Sequence, residues 1–295
     1  MFSLRHIEVF HAIMRGGTVT AAARMLNVTQ PAVSATLKHM ESRMGMKLFE
    51  RAGGRLLPTP EARALLPDVA GIYGRMDAME RLAQDLAGGR LGTLSIAASS
   101  PIANGYGAAA VAAFIADSPG ARVTLQSLAS PLVLDRVASG EAELGVAYEP
   151  VLHSEVVTEV LVHNSVACVM RSDHPLAARP EIHIEELAPH GLITYLPQAV
   201  LRPYVDRAFS QAGVTPDIRV QVGLSITGIA LAYHGAGIAL VEPQLLASLP
   251  LPGLVARPLL PRLEVRTLLL RHKTAPSSVL LDKFLPHLRK AAAPN

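Results

Sequence analysis

Residues 18–59 read TVTAAARMLNVTQPAVSATLKHMESRMGMKLFERAGGRLLPT, and this stretch decides the fold of the N-terminal fifth of the chain. Ala21, Ala22 and Ala23 keep one helix thin enough for a second helix to cross it closely, and Leu26 closes its apolar face. Asn27 falls where a tight turn needs a residue that tolerates a left-handed backbone. Thr29 is a suitable N-cap, and Pro31 in the first turn gives up an amide that has no partner inside a helix. In the helix that follows, Val33, Leu37, Met40 and Met44 recur at spacings of four, three and four, which predicts one buried face. The opposite face is assigned Gln30, Ser34, Thr36 and Lys38, hydrogen-bonding side chains near a helix start, where a recognition helix meets base edges in the major groove. Past Leu48 and Phe49, Gly53-Gly54 predicts a hairpin turn flanked by Arg51 and Arg55, which would lie along a phosphate backbone.

A helix-turn-helix with a basic wing is therefore expected over residues 1–58, with double-stranded DNA as its partner. Thr29, Gln30, Pro31, Ser34, Thr36, Lys38, Arg51 and Arg55 are the candidate contacts. Charge supports this reading. Residues 1–58 hold eight Lys/Arg and three acids, a net of +5; the remainder holds 19 basic and 21 acidic residues, a net of −2. The basic excess is confined to the segment that would meet phosphates, as counterion release requires. The alternative, an ordinary helical pair with solvated charges, leaves that segregation unexplained.

The run AAARMLNVTQPAVSATLKHMESRMGMKLFER (21–51) resembles the signature of the LysR-type transcriptional regulators, and the likeness extends over essentially the whole chain, with echoes in SDHPLA (172–177) and GAGIALVEP (235–243). Two positions depart from the family pattern. Ala35 stands where an arginine is frequent, which removes one donor toward DNA, and Ala62 replaces a common glycine after Thr59.

Half of the 295 residues are apolar, yet no apolar run approaches the length of a membrane span. The N-terminal LRHIEVFHAIMR (4–15) reads as an amphipathic helix rather than a signal peptide, so a cytoplasmic location without membrane contact is expected. The single cysteine, Cys168, lies in the apolar run VACVM. A buried inert thiol is the default, and a redox sensor, the other reading, usually needs a resolving partner.

Between Thr59 and Gly88, the residues Leu65, Val69, Ile72, Met76, Met79, Ala83 and Leu86 alternate spacings of four and three, a heptad seam. Residues 59–88 are expected to form a linker helix that joins two subunits, so that two recognition helices address two half-sites. A helix packed on its own domain is the alternative. Pro67 must lie in the first turn or kink the helix, and Gly88-Gly89 and Gly92 mark the way out of it.

Residues 92–295 read as α/β. Strand-like runs at 94–97, 123–126, 144–147, 166–170, 192–195, 220–222, 238–241 and 265–270 alternate with helical stretches at 104–116, 131–139, 202–212 and 225–234. That alternation predicts parallel sheets, and the proline-rich span 250–261 reads as irregular connection. The resemblance implies two Rossmann-like lobes arranged as in a periplasmic solute-binding protein, with the chain crossing twice between them and an effector in the cleft. The first lobe would comprise approximately 92–162 and 268–295, the second approximately 163–267.

Several strands end in small hydroxyl residues that open a helix: Ser99 and Ser100, Ser127 and Ser130, and Ser225 with Thr227. Helix starts favour carboxylates, and open α/β sheets bind ligands at the carboxyl ends of their strands, although ordinary capping explains any one serine alone. Glu149 and Glu242 follow strands and could each hold an ammonium or guanidinium group; a solvated loop acid is the other reading. Together with PIANG (101–105, including Asn104) and SPLVLDRVASGEAELG (130–145), these positions resemble the branch containing regulators of lysine synthesis and opine catabolism. That resemblance implies an amino acid or amino-acid derivative as effector, with Tyr195 and Arg202 as further contacts; a non-amino carboxylate or aromatic acid is the alternative.

The sequence has no G-x-S-x-G elbow, H-E-x-x-H, Walker loop or G-x-G-x-x-G, and its eleven histidines are scattered. No enzymatic activity, cofactor or metal is expected. The expectation is an effector-controlled transcription regulator, homodimeric through the linker helix. The resemblance favours a homotetramer, and RNA polymerase is admitted as a further partner.

Overall fold

The structure is a computed structural model that describes residues 3–52, 55–87, 92–248 and 251–293. It divides into two compact units, residues 1–77 and 78–295.

The first unit holds α1 (Leu4–Gly16), α2 (Val19–Met25), α3 (Gln30–Met44), the strands β1 (Phe49–Ala52) and β2 (Arg55–Pro58), and the start of α4 (Pro60–Ala87). The close crossing follows from small residues: a Cβ on Gly16 would come within 2.9 Å of the Ala21 Cβ, and Ala22 and Ala23 are buried. Asn27 takes the left-handed conformation at φ 51°. Val33, Leu37 and Met40 pack against Val9, Phe10 and Ile13 of α1, while Met44 is only half-buried. Thr29 precedes α3 in extended conformation, but its hydroxyl does not cap the helix. Proline removes the amide at Pro31, and the Ala32 amide is already donated to the Thr29 carbonyl oxygen (3.1 Å).

Glu41 is buried on α3, which the apolar pattern does not anticipate. Its carboxylate accepts the amides of Leu48 (2.9 Å) and Phe49 (3.3 Å) and the Lys47 ammonium (3.0 Å), so it holds the entrance to the antiparallel β1–β2 hairpin. The Thr59 hydroxyl then donates to the Lys47 carbonyl oxygen and accepts from the Ala62 amide, tying the hairpin to the start of α4. Pro67 lies beyond the first turn of α4, and the helix runs unbroken through it.

In the second unit the chain order is β3 (Thr93–Ser99), α5 (Ser100–Asn104), α6 (Tyr106–Asp117), β4 (Arg122–Leu128), α7 (Ser130–Ala138), β5 (Leu144–Tyr148), β6 (Val156–Ser165), β7 (Ala167–Arg171), β8 (Ile182–His183), β9 (Gly191–Tyr195), α8 (Arg202–Ala212), β10 (Asp217–Val222), α9 (Ser225–Tyr233), β11 (Ile238–Val241), α10 (Gln244–Ser248), β12 (Leu254–Leu260), β13 (Glu264–His272) and α11 (Val279–Ala292). One sheet has the order β4-β3-β5-β13-β6 and the other β10-β9-β11-β7-β12-β8. Each is mixed rather than purely parallel: β13 runs antiparallel to β5 and β6, and β7 runs antiparallel to β11 and β12. These reversals follow from the chain's two passages between the sheets, which bring β7 and β13 in from the other side.

The passages lie at Val166 and between Leu260 and Glu264, and the Val166 amide donates to the Leu263 carbonyl oxygen (3.2 Å). The expected lobe boundaries at 162/163 and 267/268 thus fall inside β6 and β13, because Glu264 pairs with Ser165 in the first sheet. The span 250–261 is not wholly irregular. Its residues 254–260 form β12, whose Pro258, lacking an amide, sits at the end of the pairing with β7. Gly237, at φ 147°, lets β11 enter beside β9: a Cβ there would stand 2.3 Å from the Gly191 carbonyl oxygen. The C-terminal α11 packs on α6, with Phe114 and Phe284 edge to face at 5.6 Å.

Candidate functional site

On α3, Gln30, Ser34 and Lys38 follow at intervals of four and share one flank. Gln30, Pro31 and Lys38 are exposed and Ser34 is half-buried, with the Gln30 Nε2 at 3.5 Å from the Ser34 Oγ. Thr29 and Ala35 are also exposed. Thr36 departs from the expected face. It lies across the buried stripe from Gln30, and its hydroxyl donates to the Ala32 carbonyl oxygen (2.9 Å). Arg51 in β1 pairs with Leu56 and Arg55 in β2 pairs with Ala52; the two arginine side chains, and the Gly53-Gly54 turn, lie outside the described residues.

The second unit contains a cavity of 300 Å³ where β3, β4, β5, β9 and β11 end and where α5, α7 and α9 begin. Ser99, Ser100, Ser130, Tyr195, Ser225 and Glu242 all line it. The Ser99 and Ser130 hydroxyls are 2.7 Å apart, and Asn104, behind Ser100, donates to its Oγ (3.1 Å). Leu128, Leu196, Val200, Leu201 and Leu224 supply an apolar wall.

Glu242 is 3% exposed and, among the described residues lining the cavity, carries the only charged side chain. Tyr195 OH and Ser225 Oγ (2.5 Å) both donate to its Oε2. Burial pushes the Glu242 carboxyl above its ordinary value of 4.5, and the hydroxyls of Ser225 and Tyr195, its own backbone amide and, least, the nearby Tyr148 hydroxyl only partly counter this. A ligand cation beside it would restore the charged form.

The other predicted residues point elsewhere, for reasons of periodicity. Ser127 is exposed on β4, on the opposite side from Leu128. Thr227, two residues beyond Ser225, is exposed on the far face of α9. Glu149 continues the pairing of β5 with β13: its carboxylate accepts the Arg266 amide (3.1 Å) and the Arg266 Nε (2.6 Å), and the guanidinium holds the carboxyl below its ordinary value. Arg202 braces the loop behind the cavity, donating to the Tyr195 carbonyl oxygen (2.7 Å) and to Asp206 (2.7 Å).

Tyr148 and Gln198 line the cavity without having been singled out in the sequence. For Tyr148 a signal existed: if Glu149 pairs outward at a strand end, alternation turns its predecessor inward. Cys168 is fully buried, and desolvation pushes its thiol up to about 12, which keeps it protonated and unreactive. Among the described residues, no group of three or more His, Cys, Asp or Glu side chains is placed to hold a metal ion, and no helix is long and apolar enough to cross a membrane.

Comparison with known proteins agrees with this geometry. Residues 4–63 match the bacterial regulatory helix-turn-helix protein of the lysR family, and residues 87–293 match the LysR substrate binding domain. The octopine catabolism/uptake operon regulatory protein OccR of Rhizobium meliloti is 31% identical over 283 residues, 96% of this chain and 93% of that one. The regulatory protein NocR of Agrobacterium fabrum is 30% identical over 243 residues, 82% of this chain and 81% of its own length. The crystal structure of CbnR, a LysR family transcriptional regulator, shares the fold with a TM-score of 0.73 at 21% identity, covering 99% of this chain and 100% of that one. The chain therefore belongs to the LysR family, as a DNA-binding transcriptional regulator with an α/β effector-binding domain rather than an enzyme.

Proposed function

We propose that this regulator responds to a small molecule carrying both an amine and a carboxylate, an amino acid or amino-acid derivative, bound in the 300 Å³ cavity. The observation that carries this reading is the lone, buried Glu242 among hydroxyls and apolar side chains. A plain acid would bring a second negative charge with no arginine, lysine or histidine among the described lining residues to receive it. A ligand ammonium answers Glu242, and a ligand carboxylate finds the starts of α7 and α9 with the hydroxyls of Ser99, Ser100 and Ser130. The named relative from Rhizobium meliloti, a regulator of octopine catabolism and uptake, agrees with this ligand class.

DNA contact falls to Thr29, Gln30, Pro31, Ser34 and Lys38 at the base edges and adjoining phosphates, and to Arg51 and Arg55 on the backbone; Thr36 supports the helix instead. Subunits pair through α4, and binding of the effector shifts the angle between the lobes and so the spacing at which paired subunits present α3 to DNA. The test is a thermal-shift screen against amino acids, their N-derivatives and simple carboxylates, since a ligand of the folded state raises the melting temperature. Stabilisation by a compound with both groups supports the reading. Stabilisation by plain or aromatic carboxylates alone overturns the amine requirement and leaves the regulator.

A further inference from the structure

Tyr148 ends β5 beside Glu242 in the cavity. It is 2% exposed, and its hydroxyl, close enough to the Glu242 carboxyl for the two to interact, completes no hydrogen bond of good geometry among the described residues. Burial first, and then the charge of Glu242, push the phenol well above its ordinary value, so it stays a neutral hydroxyl with free lone pairs. Its neighbours differ: Tyr195 and Ser225 both commit their hydroxyl hydrogens to Glu242. A buried hydroxyl without a partner is the exception in a folded protein and asks for an explanation. Here the unused group stands next to the one charged side chain of the cavity, where a second acceptor for a bound cation would be needed.

The same corner sets how far the ligand's two charges lie apart. Ser225 opens the nine-residue α9, and its Oγ is 2.5 Å from Glu242 Oε2. The first amides of α9, which have no partner within the helix, therefore stand close to the cation position rather than at the far end of the cavity. Adjacent amine and carboxylate subsites match groups borne on one carbon, and the apolar wall receives what remains of the ligand.

Resting on the reading of the cavity given above, we propose that the effector is an α-amino acid with an apolar or methylene-rich side chain, whose nitrogen carries at least two N–H groups shared between the Glu242 carboxylate and the Tyr148 hydroxyl. Tyr148 then separates N–H-bearing nitrogens from quaternary ones, which Glu242 alone attracts by charge without regard to their hydrogens.

The test is calorimetric titration of the full-length protein and of Tyr148→Phe with each of the twenty common L-amino acids. The tightest binder is followed by its N,N,N-trimethyl and desamino counterparts. The wild type is expected to bind the trimethyl compound at least tenfold more weakly than the parent. Tyr148→Phe is expected to bind the parent about tenfold more weakly and to lose most of that discrimination, while its unliganded form melts no lower than wild type. Wild-type protein that binds the trimethyl compound as well as the parent overturns the proposal without recourse to the variant. Unchanged affinity or discrimination in Tyr148→Phe removes Tyr148 from the subsite and leaves the amine-and-carboxylate reading standing. Preference for the desamino acid overturns that reading as well, whereas binding of none of the twenty overturns the present proposal and leaves amino-acid derivatives under the broader reading.

Discussion

Asn27, Glu41 and Glu242 show what single residues in this chain reveal from sequence and what they hide. Asn27 was legible because a left-handed turn admits few residue types. Glu41 was not: a carboxylate buried to receive two hairpin amides is invisible until the hairpin is in place. Glu242 was legible as a strand-end acid, whereas Glu149, equally suggestive, is held by Arg266 on a strand that has no local signature linking the two. On the exposed flank of α3, Gln30→Ala or Ser34→Ala should lower preference for the cognate site by about 1–3 kcal/mol each while sparing affinity for random DNA; competition binding with specific and random duplexes measures the difference. Glu242 makes a pH prediction. Its native value lies above 4.5, so the folded state holds the proton more tightly than the unfolded chain. The carboxyl's contribution to stability is complete below 4.5 and is lost as pH rises through the raised native value. Melting curves of the unliganded protein should show Glu242→Gln gaining stability relative to wild type across that window, and ligand affinity of the wild type should rise with pH over the same range.

At the scale of elements, α4 and the hairpin carry the predictions. Leu65 and Val69 of the heptad seam pack within the first unit, while Ile72, Met76 and Met79 remain 37%, 40% and 68% exposed. The seam thus divides into a part packed within its own domain and a part that is exposed, which the proposed pairing through α4 would cover; Ala83 and Leu86 lie outside the described side chains. Burial of a methionine or isoleucine is worth about 1.5–3 kcal/mol, and each side chain would count twice in a symmetric pair. Met76→Glu with Met79→Glu should raise the dimer dissociation constant by at least about a hundredfold, measured by sedimentation velocity; an unchanged constant removes α4 from the interface. In the hairpin, Arg51→Ala or Arg55→Ala should weaken binding to all sequences and reduce the log–log salt slope by about one unit each. Elements with strong local patterns were readable in advance. The edge strand β6, the proline-bearing β12 and the helix α11 were not, since their places depend on partners far along the chain, as in the pairing of Val156 with His272.

For the whole molecule, sequence alternation predicted parallel α/β sheets and the family resemblance implied two lobes, but neither foresaw the mixed direction of the strands, because direction follows from where the chain crosses. The crossings at Val166 and Leu263 are hydrogen-bonded to each other, a narrow connection that under the proposed function is the point about which the lobes would turn when a ligand fills the cavity. Under the proposed function, Glu242 selects a ligand amine at the inner end of that cavity. The most direct test of this selection is calorimetric titration of wild type and Glu242→Gln with an amino acid found by the thermal screen and with its desamino acid. Wild type is expected to bind the amino acid at least about a hundredfold more tightly than the desamino acid, and Glu242→Gln to lose most of that preference. Equal preference in the two proteins would contradict it.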